Sequence, residues 1–106
     1  MSRAAFLKTA APHLVADVLM YATDDKGRSG PAALGWGVPC MISLAKPLKG
    51  WDAWPIFEED RPLQPGDCRQ VGFYFLSGDE AASAMREAGH FYLWEGRVVG
   101  EARVVG

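Results

Sequence analysis

Residues 89–106 read GHFYLWEGRVVGEARVVG, and RVVG occurs twice within them, at Arg97–Gly100 and Arg103–Gly106. The two copies are offset by an even number of residues. Successive side chains of a strand point to opposite faces, so an even offset returns each residue to the same face. Val98, Gly100, Ala102 and Val104 then share one face; Arg97, Val99, Glu101, Arg103 and Val105 share the other. The repeat is the period of one strand with a small apolar inner face and a charged outer one. It is far too short to be a solenoid or propeller unit. The preceding HFYLW (His90–Trp94) is aromatic and strand-forming, and Glu95-Gly96 forms a two-residue turn in which glycine supplies the positive φ. The C-terminus is a β-hairpin.

The same logic extends toward the N-terminus. His13–Tyr21 (HLVADVLMY) reads as a strand with Asp17 interrupting one face, and Val38–Leu44 (VPCMISL) as another in which Pro39 marks a start or an edge. Arg69–Leu76 (RQVGFYFL) is a further strand, entered through Pro65-Gly66-Asp67, whose Pro-Gly order suits a type II turn. Polar residues 22–31 form a loop, and Gly50–Pro62 (GWDAWPIFEEDRP) forms a longer one carrying Trp51 and Trp54. Only Ser77–Gly89 has helical character, with Asp79 as its cap and Gly89 just past its end. Residues 1–12 are expected to be a tail and residues 13–106 a single domain. The fold class that follows is all-β: a small closed antiparallel β-barrel of about six strands with one short helix.

Composition narrows the function. A chain of 106 residues is one ordinary domain, and its four Trp, five Phe and three Tyr are enough for a real core. A net charge of −2 gives no overall basic surplus of the kind that strong nucleic-acid binders carry. Cys40 and Cys68 make no CxxC pair and read as free, buried thiols of a reducing compartment. The N-terminus lacks the long apolar core of a signal peptide, and no stretch is apolar enough for a membrane helix, so a cytoplasmic location without membrane association is expected.

Four segments, in order, resemble the C-terminal β-barrel domain (the third domain) of elongation factor Tu. A strand runs into an acidic, glycine-bearing loop with Gly27, Arg28 and Pro31; Gly35-Trp36 follows; then comes the Pro65-Gly66-Asp67 turn. The closing phrase is matched by Glu95, Gly96, Arg97, Val98, Val99, Gly100, Val104 and Val105. The likeness spans roughly residues 12–106 and implies the same barrel, here standing alone. The family's translation factors carry it behind a GTPase domain, whereas no GxxxxGK[ST] motif occurs here, so no nucleotide is expected. The family's His-Thr-Pro after the loop arginine is replaced by Ser29, Gly30 and Pro31, which thins the surface that the resemblance would place near tRNA.

No catalytic constellation is visible. His13 and His90 lie in strands, the cysteines add no ligand spacing, and Glu58, Glu59 and Asp60 are adjacent rather than opposed, so neither a metal site nor a cofactor is expected. The expected function is a non-catalytic binding module that contacts a protein partner through loops. Trp51, Trp54 and Trp36 are the candidate contacts, because tryptophan is enriched at interface anchor points; the plainer reading has the loop tryptophans folded onto the barrel. The alternative is weak contact with tRNA or another structured RNA through Arg28, Arg97 and Arg103. For those three the plainer reading is outward, solvated charge offset by Glu95 and Glu101.

Overall fold

A computed structural model describes all residues 1–106. Six strands form the barrel: β1 (Leu14–Met20), β2 (Val38–Met41), β3 (Trp51–Ile56), β4 (Cys68–Phe75), β5 (His90–Trp94) and β6 (Val98–Val104). The ladder is antiparallel throughout and closed in the order β1-β4-β3-β2-β5-β6, with β6 returning to β1. The all-β barrel expected from the alternation is the fold. Helix α2 (Asp79–Ala88) crosses between β4 and β5, and a short α1 (Arg3–Leu7) precedes the barrel.

Alternation explains the core. The inward positions are Leu14, Ala16, Val18 and Met20 on β1, Val71, Phe73 and Phe75 on β4, and Phe91 and Leu93 on β5, all buried. Phe73 meets Phe91 edge-on at 5.2 Å between centroids and stacks against Phe75 at 6.1 Å. Ala81, Ala82 and Met85 of α2 close one end of this packing, and Leu34, Phe57 and Leu63 close the other. No polar or charged residue is buried, so the interior is a packed apolar filling and not a ligand chamber.

Several local expectations are corrected. The segment read as a long loop at Gly50–Pro62 contains β3: Ala53, Pro55 and Phe57 turn inward while Asp52, Trp54 and Ile56 turn outward. Pro55 and the acidic run after it masked that alternation. Strand β2 stops at Met41, short of Leu44, and every residue from Ile42 to Gly50 is exposed. Pro39 falls where β2 is paired with β3 alone, which spares a second ladder its missing N–H. The C-terminal turn has three residues, Glu95–Arg97. A β-bulge pairs Leu93 with Gly100 but Trp94 with Val98, so Val99 is the extra residue and is buried, not outward. Helix α2 is preceded by Gly78, and Asp79 is its first residue rather than its side-chain cap. The Pro65-Gly66 turn forms as expected, with Gly66 at φ +88° and the Asp67 N–H bonded to the Gln64 carbonyl at 3.0 Å.

The expected tail is also structured. The Ser2 hydroxyl accepts from the Ala5 N–H at 3.1 Å to cap α1, and Leu7 reaches the core at 1% exposure. Phe6 packs edge-on to Tyr74 and Trp54, and the Arg3 guanidinium lies 4.6 Å over the Trp54 ring. Amphipathic placement of a single leucine and a single phenylalanine thus straps the N-terminus along the outer wall of β3 and β4. Leu7→Ala is expected to lower unfolding free energy by about 2–4 kcal/mol, as for other buried leucines. Leu19→Ala, at an exposed outward position, is expected to change it by less than about 0.5 kcal/mol. Chemical denaturation of both variants checks this; equal, small effects would show the strap to be dispensable.

Candidate binding surface

The outside of the barrel offers four polar or mixed regions, and they differ in how far their side chains are already engaged. The first is the rim opposite α2. Arg97 Nε donates to the Lys26 carbonyl and Nη2 to the Gly27 carbonyl, both at 2.9 Å. Arg28 donates to Glu95 Oε1 at 2.9 Å and lies over the Trp36 ring at 5.0 Å, while the Trp36 indole N–H donates to Glu95 Oε2 at 2.9 Å. Gly27 must be a glycine here, since a Cβ would stand 2.0 Å from the Tyr21 carbonyl oxygen. Three of the four segments that carry the resemblance described above, all but the Pro65-Gly66-Asp67 turn, therefore meet in one network. Arg28, Arg97 and Trp36 hold loops together; their donors point into the protein.

At the same end Arg69 seals the barrel mouth. It occupies an inward position of β4, donates to the Arg61 and Pro62 carbonyls and pairs with Glu58 Oε2 at 3.0 Å. Glu58 is held below the usual carboxylate range, first by its own backbone N–H and then by Arg61 and Arg69. Sequence reading passed over Arg69 because one arginine in an apolar, aromatic strand breaks the pattern without announcing a partner.

The second region is the Trp54 wall, where the N-terminal strap covers Trp54 and Tyr74 as already described. The third is the outer face of β1, β6 and β5. Arg103, 75% exposed, approaches Asp17 at 3.5 Å, and His90 lies 3.7 Å from Glu101. These side chains line a shallow hollow of about 240 Å³ with Cys68 at its edge. Arg103 is thus separate from Arg28 and Arg97; the three arginines do not form one surface. The Tyr21 hydroxyl donates to Glu101 Oε2 at 2.6 Å. Partial burial, and after it the Glu101 carboxylate, push the Tyr21 phenol up to about 12.

The thiols divide, against the expectation that both are buried. Cys40 is buried, and desolvation pushes its thiol well up, away from thiolate reactivity; Cys68 is exposed, and both are free. His13 Nδ1 accepts from the Phe75 N–H at 2.9 Å, an internal structural bond. No three of the His, Cys, Asp and Glu side chains gather in a way that would hold a metal ion.

The fourth region is the β2–β3 loop, at the α2 end. Ile42 is 38% exposed and Leu44 and Leu48 are each 42% exposed, so three aliphatic side chains face solvent within seven residues of chain. Lys46 and Lys49 are the only charged residues between Met41 and Trp51, and neither forms an ion pair. Trp51 begins β3 at the base of the loop, half-buried, with the Lys49 ammonium 4.8 Å over its ring. Of the three candidate tryptophans, only Trp51 borders side chains that have no internal role. In the sequence Ile42 and Leu44 continue the apolar run of β2, which disguises them as strand residues, although β2 ends at Met41. Lys46-Pro47 and Lys49-Gly50, breakers within a few residues of each other, were the signal that the strand had ended.

No known protein family matches the chain, and no curated protein matches it.

Two outcomes follow from the engaged regions. Arg97→Ala is expected to destabilise the fold by roughly 1 kcal/mol through lost bonds to two carbonyls, while Arg103→Ala leaves the denaturation midpoint almost unchanged. The Tyr21 phenol is expected to titrate near 12, followed as the phenolate absorbance that Tyr21→Phe removes. Its folded value lies above the ordinary 10.0, so the stability it contributes is complete below pH 10 and is lost as pH rises toward 12. In Glu101→Gln the titration moves down toward the ordinary value, because the carboxylate's charge is removed while the burial remains.

Proposed function

We propose that this protein is a binding module without catalytic chemistry of its own, which docks a protein partner through the β2–β3 loop. The observation that carries this reading is the loop itself. Ile42, Leu44 and Leu48 lie exposed in a stretch where no residue from Ile42 to Gly50 is buried. The other exposed large apolar side chains, Met1, Leu19, Leu76 and Val105, are scattered along the chain, and only in this loop do three fall within seven residues. Aliphatic groups gathered on one exposed loop lower their free energy only by meeting another surface, and Trp51 beside them is the residue type that anchors such contacts.

The kinship with the C-terminal barrel of elongation factor Tu belongs to the same proposal. It is supported by the closed six-stranded barrel and by the meeting of Gly27, Arg28, Trp36, Glu95 and Arg97 at one rim. Two free thiols suit a cytoplasmic, reducing setting for such a module. Contact with tRNA or another structured RNA through Arg28, Arg97 and Arg103 has less support, since the first two are bonded internally and the third faces another side.

The test is capture of a partner from the protein's own cell lysate, identification of that partner, and titration against variants. Leu44→Ser with Leu48→Ser is expected to leave the circular dichroism spectrum and denaturation midpoint unchanged and to weaken partner binding by roughly tenfold or more. A partner bound with unchanged affinity by this folded double variant would discard the loop as the docking element.

A further inference from the structure

We infer that the β2–β3 loop receives an acidic, apolar segment of its partner: one large apolar side chain enters the depression beside Trp51, and neighbouring carboxylates meet Lys46 and Lys49. This rests on the binding-module reading and goes beyond it in naming the chemistry of the partner segment and its direction.

Charge is the first support. Of the eleven Lys and Arg side chains, all but Lys26, Lys46 and Lys49 reach a carboxylate or a backbone carbonyl. Lys8 pairs with Glu59, Arg28 with Glu95, Arg61 and Arg69 with Glu58, and Arg103 with Asp17. Arg3, Arg86 and Arg97 donate to carbonyls. Two of the three cations left over therefore sit in the loop that exposes three aliphatic side chains within seven residues, in a chain whose net charge is −2. Ammonium groups this close to apolar surface favour an occupant that brings both apolar and negative groups.

Shape is the second. Ile42, Ala45, Lys46, Pro47, Lys49 and Trp51 line a depression of about 360 Å³. That is room for a large side chain, and a flat lipid surface leaves such a hollow unfilled. The Lys49 ammonium is already held over the Trp51 ring at its rim, so an arriving carboxylate meets a placed charge and loses less freedom on pairing. The ladder is closed, so the partner segment is read by side chains and not by strand addition.

Direction is the third. A second depression of about 410 Å³ shares Ile42 and is lined by Ala84, Ala88 and Glu87 at the end of α2. The track that passes over Ile42 is thus basic at the Lys46 and Lys49 end and acidic at Glu87. A segment lying along it is oriented with its carboxylates toward the lysines, because the reverse places like charges together at Glu87.

The experiment is selection of a random-peptide display library on the immobilised full chain, followed by titration of the enriched peptides. The expected result is a consensus with Asp or Glu beside a bulky apolar residue. Lys46→Glu with Lys49→Glu, Leu44→Ser with Leu48→Ser, and Glu-to-Gln versions of the peptide should each weaken its binding by about tenfold or more. Raised salt should also weaken it, and Arg103→Ala should leave it unchanged. Circular dichroism of each variant verifies the fold. Enrichment of basic or uncharged peptides that still depend on Leu44 and Leu48 overturns the inference and leaves the binding-module reading standing. Peptides indifferent to both the lysine and the leucine changes, or a selection that enriches nothing, overturn the inference and withdraw support from the loop as well. Phosphatidylserine vesicles are the parallel probe; vesicle binding that depends on Lys46 and Lys49, with no acidic peptide enriched, makes the occupant a membrane and overturns it too.

Discussion

Closure of the hydrogen-bonded ladder is the constraint on which everything else here depends. β1 is the strand that closes it, pairing with β4 through Leu14–Leu19 and with β6 through Ala16–Met20. Once the ring is shut, each strand must put one face inside, and the inside has room only for side chains. Apart from Arg69 at its mouth, apolar residues fill it, with three phenylalanines at the centre and α2 across one end. A titratable group in that space is driven toward its neutral form; Cys40, the one thiol there, shows this in its raised pKa. Polar chemistry is confined to the outer wall and the rims.

The rims are then divided by the physics of arginine and lysine. Long connections such as residues 22–37 carry backbone carbonyls with few ladder partners, and a guanidinium fork can satisfy two of them while staying partly in water. Arg97 does this at Lys26 and Gly27, and Arg69 does it at Arg61 and Pro62. A lysine ammonium is a compact, strongly hydrated charge on a flexible stem and serves poorly as such a brace. The cations that reach neither a carboxylate nor a backbone carbonyl are all lysines. Arginines brace the rim opposite α2, and the free charge of the other rim is Lys46 and Lys49.

How much of this was legible in the sequence follows from the same division. The strands with strict alternation, β1, β4 and β5, the last two with aromatic inward residues, stand out because burial of one face imposes the period on the sequence itself. β3 does not: Pro55 and small Ala53 hide its inward face, and its two tryptophans face differently, Trp54 onto the N-terminal strap and Trp51 onto the loop. α1 was hidden because its burial depends on Leu7 and Phe6 alone, too few residues to make a helical period. The bulge at Val99 was invisible, since an extra residue in one strand is detected only against its partner. The site suffered in the same way. Arg28 and Arg97 look like surface charges in one dimension, and only the arrangement in space turns them inward to carbonyls.

Ile42, Leu44 and Leu48 then have a particular meaning. They contribute nothing to the interior, because the apolar core is complete without them. They are not consequences of the closed ladder either, since β2 has already ended at Met41. Exposed aliphatic groups favour nonspecific association, and a polar loop would serve the fold equally well while removing that liability. Side chains that do not serve folding and weigh against solubility are the ones whose presence needs an external cause. On the binding-module reading proposed above, that cause is a partner, and the rim where three aliphatic side chains and two uncompensated lysines stand together is where it would act.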